Sequence, residues 1–495
     1  MKNFKTLLLN EFMQQIHSFR FVLALFVTFI VVIVCVYIQV RDFADRQQTY
    51  QAEQTKAINE SKQARIYSEF KVPVFIKPNP LSIFSRGFDE KAGNYANISV
   101  FELPELKSSS QKSNPFMEIL ENFDVLNIVE IILSLLALFI VGDVISGERE
   151  NETLKLVFSN QVSRTEYFLA KYVGGLITLF IPLVMVFLIT SLFMVLNPLI
   201  MLTWLQWLKI LLLFFFCICY LSVFILIGLT ISARVFPAAK ALMVCLVVWI
   251  AMVNIYPNLV NYVVSGLVKV PETHQLNAEI KQLNDEMLKE FDENEKKVPS
   301  GPVTCSYCNF GPVTKMIFLG NKDFVLRAEK LNTLNLPIHF EYQGKMNAEK
   351  KQFKQLLFHQ QKVGSYFLQL FPNFQLSNGS SVMASTDFQS RDMGLNNSLE
   401  IFRASTMDYI KSKDGFGFKF FTPMKPEQLR DNFNDYTKEE NVLYTNYKQP
   451  LDISDAPQFY FKDNLKIPVD MLFLVVLNAV FFALGLRLFT YARVH

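Results

Sequence analysis

The chain lacks the short patterns that mark most enzymes. It has no G-x-x-x-x-G-K-[ST] phosphate loop, so it is not expected to hydrolyse ATP by itself. No H-E-x-x-H joins its five histidines, which excludes that class of metalloprotease, and no G-x-S-x-G elbow is present. Net charge is only +3 over 495 residues, so nothing points to a nucleic-acid partner. Cysteines number six. Cys35, Cys217, Cys219 and Cys245 fall in apolar runs and read as small packing residues. Cys305 and Cys308 form the single C-x-x-C, in VTCSYCNFG. Asn309 stands where haem attachment needs His, zinc would need two more ligands, and no strand-to-helix context suggests a thioredoxin-like site. A disulfide is the favoured reading if that side is oxidising, with a redox or metal role and free thiols as alternatives.

Apolar residues are abundant: 51% of the chain, with 14% aromatic. That total is close to the roughly 45–50% of soluble domains, but the distribution differs. The apolar residues are concentrated in six runs, at 21–40, 125–145, 174–195, 210–231, about 235–256 and about 469–488. Each is near the roughly 20 residues a helix needs to cross about 30 Å of hydrocarbon. A cleaved signal peptide is not expected, because the first run is too long, starts late and lacks a small-x-small site. Residues 1–20 read instead as an interfacial helix, with Phe4, Leu8, Phe12 and Ile16 on one face and Lys2, Lys5, Glu11 and Gln15 on others. The alternative is a plain extension of the first span.

Lys2, Lys5, Arg20, Arg234, Lys240, Arg487 and Arg493 fall on one side of a six-span topology, together with Arg149, Lys155, Arg164 and Lys171 of the loop 146–173. The positive-inside rule makes that side cytoplasmic, with both termini and the tail 489–495 inside. Segments 41–124 and 257–467 then lie outside and pack together. The expected fold is a polytopic α-helical membrane protein with six transmembrane helices plus a mainly helical α+β extracytoplasmic domain. Within that domain, Asp42–Glu69 continues the first span as a helix, and Lys71–Lys77 and Asn97–Glu102 read as strands. Leu276, Ile280, Leu283, Met287 and Phe291 mark a packed helical hairpin rather than a coiled coil. Further helices are expected over Ala348–Leu370, with Phe353, Leu356, Leu357, Val363 and Phe367 buried, and over Ser398–Lys411. Glu130, Asp470 and Asp143 lie within about two turns of span ends, which reads as snorkelling or capping, with a proton relay as the alternative.

Gly147–Lys171 is the polar segment between the second and third runs. Ser146–Phe158 reads as one short helix, Asn160-Gln161 as a break, and Ser163-Arg-Thr-Glu166 as a capping box that starts a helix at Arg164. Such a segment is either an ordinary amphipathic connector or a docking surface for a soluble partner.

Ile140-Val-Gly-Asp-Val-Ile-Ser-Gly-Glu-Arg-Glu, Thr153-Leu-Lys-Leu, Ser159, Val162-Ser-Arg, Lys171 and Gly174 together resemble the cytoplasmic loop of type-2 ABC exporter permeases. Lys77-Pro-Asn-Pro-Leu-Ser-Ile-Phe-Ser-Arg-Gly-Phe-Asp is similar to the subgroup with large extracytoplasmic insertions. The resemblance implies a coupling helix that docks on a separate ATPase, with Glu148, Arg149 and Glu150 in interface salt bridges, Thr153 and Leu154 lining the helix, and Ser163-Arg164 fixing the corner. It implies two ATPase subunits holding ATP and Mg, no cofactor in this chain, and a second permease, identical or related. The setting would be a bacterial cytoplasmic (inner) membrane. Glu152 and Gln161 depart from the Gly and Pro usual there and favour a more continuous helix. The function implied is ATP-driven export. Force transmission through the outer domain to an envelope partner, without transport through the spans, is the alternative, and a membrane-anchored scaffold without an ATPase is a third reading.

Overall fold

The computed structural model describes residues 2–89, 93–107, 123–159, 162–301, 303–414, 416–437 and 467–491. Among these, six helices are long and apolar enough to cross a membrane: Phe19–Ser61, Val125–Glu150, Arg164–Leu196, Trp204–Arg234, Ala238–Leu267 and Val469–Thr490. Five contain one of the six apolar runs whole, and the fifth helix starts at Ala238, three residues into its run. The described residues are thus mostly helical, with two small sheets of two strands each among them.

Helix α1 (Lys2–Ile16) precedes α2 (Phe19–Ser61), which starts behind Ser18, whose hydroxyl accepts from Phe21 N at 3.2 Å. At about 1.5 Å per residue α2 is about twice as long as the hydrocarbon is thick, so its polar second half leaves the bilayer as one continuous helix. The second span opens with an α-helical turn, Val125–Asn127, continues as a π-helical stretch, Ile128–Leu133, and runs through α3 (Ser134–Val141) into α4 (Val144–Glu150). Helix α5 (Thr153–Ser159) follows, then α6 (Arg164–Leu196) and α7 (Trp204–Arg234). The fifth span is α8 (Ala238–Ile250), a π-helical turn at Ala251–Ile255, and α9 (Tyr256–Leu267).

Helix α7 is the centre of the bundle and packs on α3 and α6. Its Phe216, Tyr220 and Phe224 are fully buried. A Cβ at Gly228 would lie 2.6 Å from Val141, so span 2 approaches span 4 at a distance only glycine permits.

Strands β1 (Lys71–Phe75) and β2 (Tyr95–Ser99) pair antiparallel, with Val74 opposite Ala96. Helix α10 (Thr273–Lys297) leads through the hairpin β3 (Cys305–Asn309) and β4 (Met316–Gly320) to α11 (Lys322–Leu368). The two helices form the expected hairpin, with Met287, Phe291 and Tyr342 buried between them. The helix expected over Ala348–Leu370 is only the last part of α11, which runs on through Pro337. Phe367 is 46% exposed rather than buried; Leu368 takes the inward position against Val260 and Val264. Helix α12 (Pro372–Ala384), which periodicity did not suggest, precedes α13 (Leu395–Asp414), and α14 (Val469–Thr490) is the sixth span.

The spans have two distinct ends. At the loop end, α1, the α4–α5 turn, the α7–α8 turn and the end of α14 converge. At the domain end, both large segments meet. Asn79 Nδ2 donates to Ala384 O at 2.6 Å, and Phe88 N to Thr386 O at 2.7 Å.

Candidate functional site

The loop end is assembled from helix termini whose polar groups need partners. Ser232 Oγ of α7 accepts from the first amides of α4, Ile145 N at 3.0 Å and Ser146 N at 3.1 Å. Helix α4 stops at Glu150, and Glu152 takes φ 56°, a left-handed conformation costing about 1–2 kcal/mol for a side-chain-bearing residue. The single helix expected over Ser146–Phe158 is therefore two. Propensity favoured continuity at Glu152, but packing beyond it decides the direction: Leu154 is driven to 1% exposure, and Thr153 Oγ1 donates to Glu148 O at 3.2 Å. Asn160 and Gln161, the expected break, lie outside the described residues. Helix α6 begins at Arg164 behind a complete capping box. Ser163 Oγ accepts from Glu166 N at 3.1 Å, and Glu166 Oε2 from Ser163 N at 3.3 Å.

The three charged residues of Glu148-Arg-Glu150 are all held within the chain. Lys171 Nζ of α6 donates to both the Glu148 and the Glu11 carboxylates, and Tyr167 OH donates to Glu148 Oε2 at 2.7 Å. Gln15 Nε2 donates to Glu11 Oε1 at 2.6 Å and Thr178 Oγ1 to Gln15 Oε1 at 2.7 Å. Helix α1 thus turns a polar face into the protein, while Leu9 and Met13 stay outward at 51% and 52% exposure. Arg149 Nη2 donates to Ala233 O at 3.0 Å, and Glu150 Oε2 accepts from Ala238 N at 3.0 Å. The Arg164 guanidinium donates to Thr490 O at the end of α14. Beside it, Phe489 stacks on Tyr167 with ring centroids 5.5 Å apart, and Phe158 lies 5.4 Å from Tyr167. Arg20 Nη1 pairs with Asp143 Oδ2 at 2.6 Å. This end of the molecule is therefore a knot joining α1, span 2, α5, α6, the α7–α8 turn and α14. Its outward surface carries Asn151, Glu152, Thr153, Lys155, Leu156 and Ser159, with Leu156 66% exposed. The pairing of Glu11 with Lys171 was not anticipated. Its one signal is Glu11 and Gln15, four apart and hence on one face of a helix with apolar neighbours.

A family model described as ABC-2 family transporter protein matches residues 6–290, more than half of the chain. The chain belongs to the ABC-2 family of transporter membrane proteins. The matched part covers spans 1 to 5 and the loop end apart from the end of α14, and stops within α10. No curated protein and no solved structure matches the chain.

This ABC-2 membrane subunit has a second polar cluster, at the domain end, that sequence patterns did not single out. Arg46 Nε pairs with Asp42 Oδ2 at 2.8 Å and its Nη1 with Asp89 Oδ2 at 3.0 Å. Arg86 Nη2 reaches Asp42 Oδ2 at 3.2 Å, and Arg391 pairs with Asp89. These groups tie α2 to the Pro-rich stretch before Asp89 and to the residues after α12. Glu130 and Asp470, read as snorkelling or capping groups, instead accept from asparagines of α12. The sulfurs of Cys305 and Cys308 are bonded to each other on β3. In the domain formed by the two large segments, burial and the nearby Lys315 charge push the His339 imidazole down to about 4. Among the described residues no cluster of His, Cys, Asp or Glu could hold a metal.

Proposed function

We propose that this chain is the permease subunit of an ATP-driven exporter, and that α4 and α5 are the element through which a separate ATPase moves it. The observation that carries this reading is the knot at the loop end. A pushing partner needs a rigid lever, and Glu148, Arg149, Glu150 and Arg164 fasten the loop to spans 3, 4, 5 and 6, with Leu154 buried beside them. In this reading those residues transmit force, and the outward face of Glu152, Thr153, Lys155 and Leu156 receives it. Ser163 fixes the corner into α6. The loop end is cytoplasmic, because Arg20, Arg149, Lys155, Arg164, Arg234, Lys240 and Arg487 gather there. The segments 41–124 and 257–467 then form the extracytoplasmic domain, where an oxidising compartment keeps Cys305 and Cys308 joined. Two ATPases carrying ATP and Mg and a second permease complete the complex.

Force transmission to an envelope partner is supported by a specific feature, the attachment of the outer domain to the span ends through Glu130 and Asp470. The two readings share the lever and differ in what the outer domain does. Leu156→Asp and Lys155→Glu test the lever at exposed positions; the second also removes the exposed pair of Lys155 with Glu152, whose loss alone costs about 0–1 kcal/mol. Each is expected to lower co-purification of the ATPase by about tenfold, the loss expected from about 1.4 kcal/mol of binding. Unchanged capture and ATP turnover in both variants would sink the reading.

A further inference from the structure

Helix α12 has the composition of a loop, PNFQLSNGSSVMA, yet Pro372, Asn373, Gln375, Leu376, Gly379, Ser380, Ser381, Met383 and Ala384 are buried. A polar helix buried on so much of its surface needs specific partners, since each unsatisfied group would cost on the order of 1–3 kcal/mol. Those partners come from both parts of the molecule. Towards the spans, Asn373 Nδ2 donates to Glu130 Oε1 at 3.1 Å, while its Oδ1, 3.2 Å from Tyr220 OH, shares that hydroxyl's one proton with Glu130 O. Asn378 Nδ2 donates to Asp470 Oδ2 at 3.0 Å. Spans 2, 4 and 6 are thus each gripped by one of two asparagines. The grip is close: a Cβ at Gly379 would lie 2.7 Å from the Phe216 ring and 3.3 Å from Asp470 Cβ. Towards the outer domain, Ser380 and Ser381 meet Ser85 Oγ at 3.2 and 3.3 Å, and Thr386 Oγ1 donates to Ser85 O at 3.1 Å. A three-residue connection joins α12 to the last turn of α11, the long helix of the outer hairpin.

The Glu130 end sits on a deformable part of span 2. Its carbonyl lies in the π-helical turn Ile128–Leu133 and accepts from Tyr220 OH at 3.0 Å and from Ser134 Oγ, and Ser134 Oγ in turn accepts from Trp249 Nε1 at 2.9 Å. Such turns mark places where a helix changes register at low cost. Span 2 is also the span that continues directly into α4 at the loop end.

We infer that α12 is a strut that makes the outer domain follow the spans, with Asn373 and Asn378 as its positioning residues. A displacement of α4 reaches the Glu130 turn along span 2, and α12 passes it to α11. The nucleotide-dependent part rests on the proposed coupling role of α4 and α5; the mechanical attachment does not.

The test measures the distance between spin labels at Leu288→Cys on α10 and Met201→Cys between α6 and α7, in the full chain carrying Cys219→Ala. One narrow distribution is expected without the substitutions at α12. Asn373→Ala with Asn378→Ala should at least double its width. Asn378→Asp alone should also broaden it by setting two carboxylates together, and adding Asp470→Asn should restore it by reversing the hydrogen bond. A merely structural role would not give that reciprocal rescue. In the complex with the ATPase, ATP should shift the distance in the parent chain and not in the alanine pair. An alanine pair as narrow as the parent, or an ATP-driven shift of undiminished size, would overturn the strut. Failure of the chain to capture any ATPase would defeat the coupling reading instead, and the ATP-free widths would still decide the strut.

Discussion

Replacing Lys171 with methionine strands two buried carboxylates. Glu11 and Lys171 have side chains 5% and 7% exposed, and Glu148 is 23% exposed, so water can compensate Glu148 in part and Glu11 hardly at all. Removing one partner of a buried ion pair costs about 3–5 kcal/mol, because the other charge keeps its desolvation penalty without its compensation. Lys171→Met belongs at the upper end of that range, since one substitution leaves two acids uncompensated. Glu148→Gln should cost less, about 1–2 kcal/mol, because the amide oxygen still accepts from Tyr167 OH and Lys171 still pairs with Glu11. The decisive comparison is the triple variant Glu11→Gln, Glu148→Gln, Lys171→Met. With no charge left to strand, it should recover at least half of the loss seen in Lys171→Met alone, a strong departure from additivity. Thermal unfolding of the detergent-solubilised chain gives the stability order, and ATPase co-purification shows whether the loop is still presented. A triple variant less stable than Lys171→Met, or Glu148→Gln as damaging as Lys171→Met, would refute the assignment of Lys171 as the hub.

Two further outcomes follow from single residues. Glu152→Gly removes the left-handed strain at φ 56° and should raise stability by up to about 1 kcal/mol after allowing for glycine's larger unfolded entropy; a lower melting temperature would contradict it. His339 is held down to about 4, below its ordinary 6.5, so the unfolded chain takes up its proton first as pH falls. The stability present above pH 6.5 is therefore lost progressively towards pH 4, by about 1–3 kcal/mol after discounting for partial exposure, and His339→Asn should flatten this slope in the unfolding of the domain that carries it. An unchanged slope would remove His339 from the account.

The spans and the start of α6 were legible because their signals are local: apolar runs of sufficient length, and Ser163 with Glu166 three residues on. The α10–α11 hairpin was legible at Met287 and Phe291 for the same reason. The knot and the strut were not, because their partners are remote in sequence. Glu11 finds Lys171 across 160 residues, and Asn373 finds Glu130 across 243. Helix α12 carries no apolar period, since serine and asparagine occupy the positions where a buried helix usually has leucine. Glu152 was misjudged because intrinsic propensity is weaker than the tertiary ties that turn the chain there.

The position of Glu11 has a consequence for biogenesis. During synthesis α1 is made long before α6, so its acid and glutamine must wait without Lys171 and Thr178. The loop end cannot close until the third span is in place, and its Arg164 tie must wait for α14. A ribosome-bound chain truncated before Lys171 should therefore leave α1 open to protease, and a completed chain should not. The loop end would then become firm only once the sixth span is in place, so a subunit truncated before it would offer a partner nothing rigid to push.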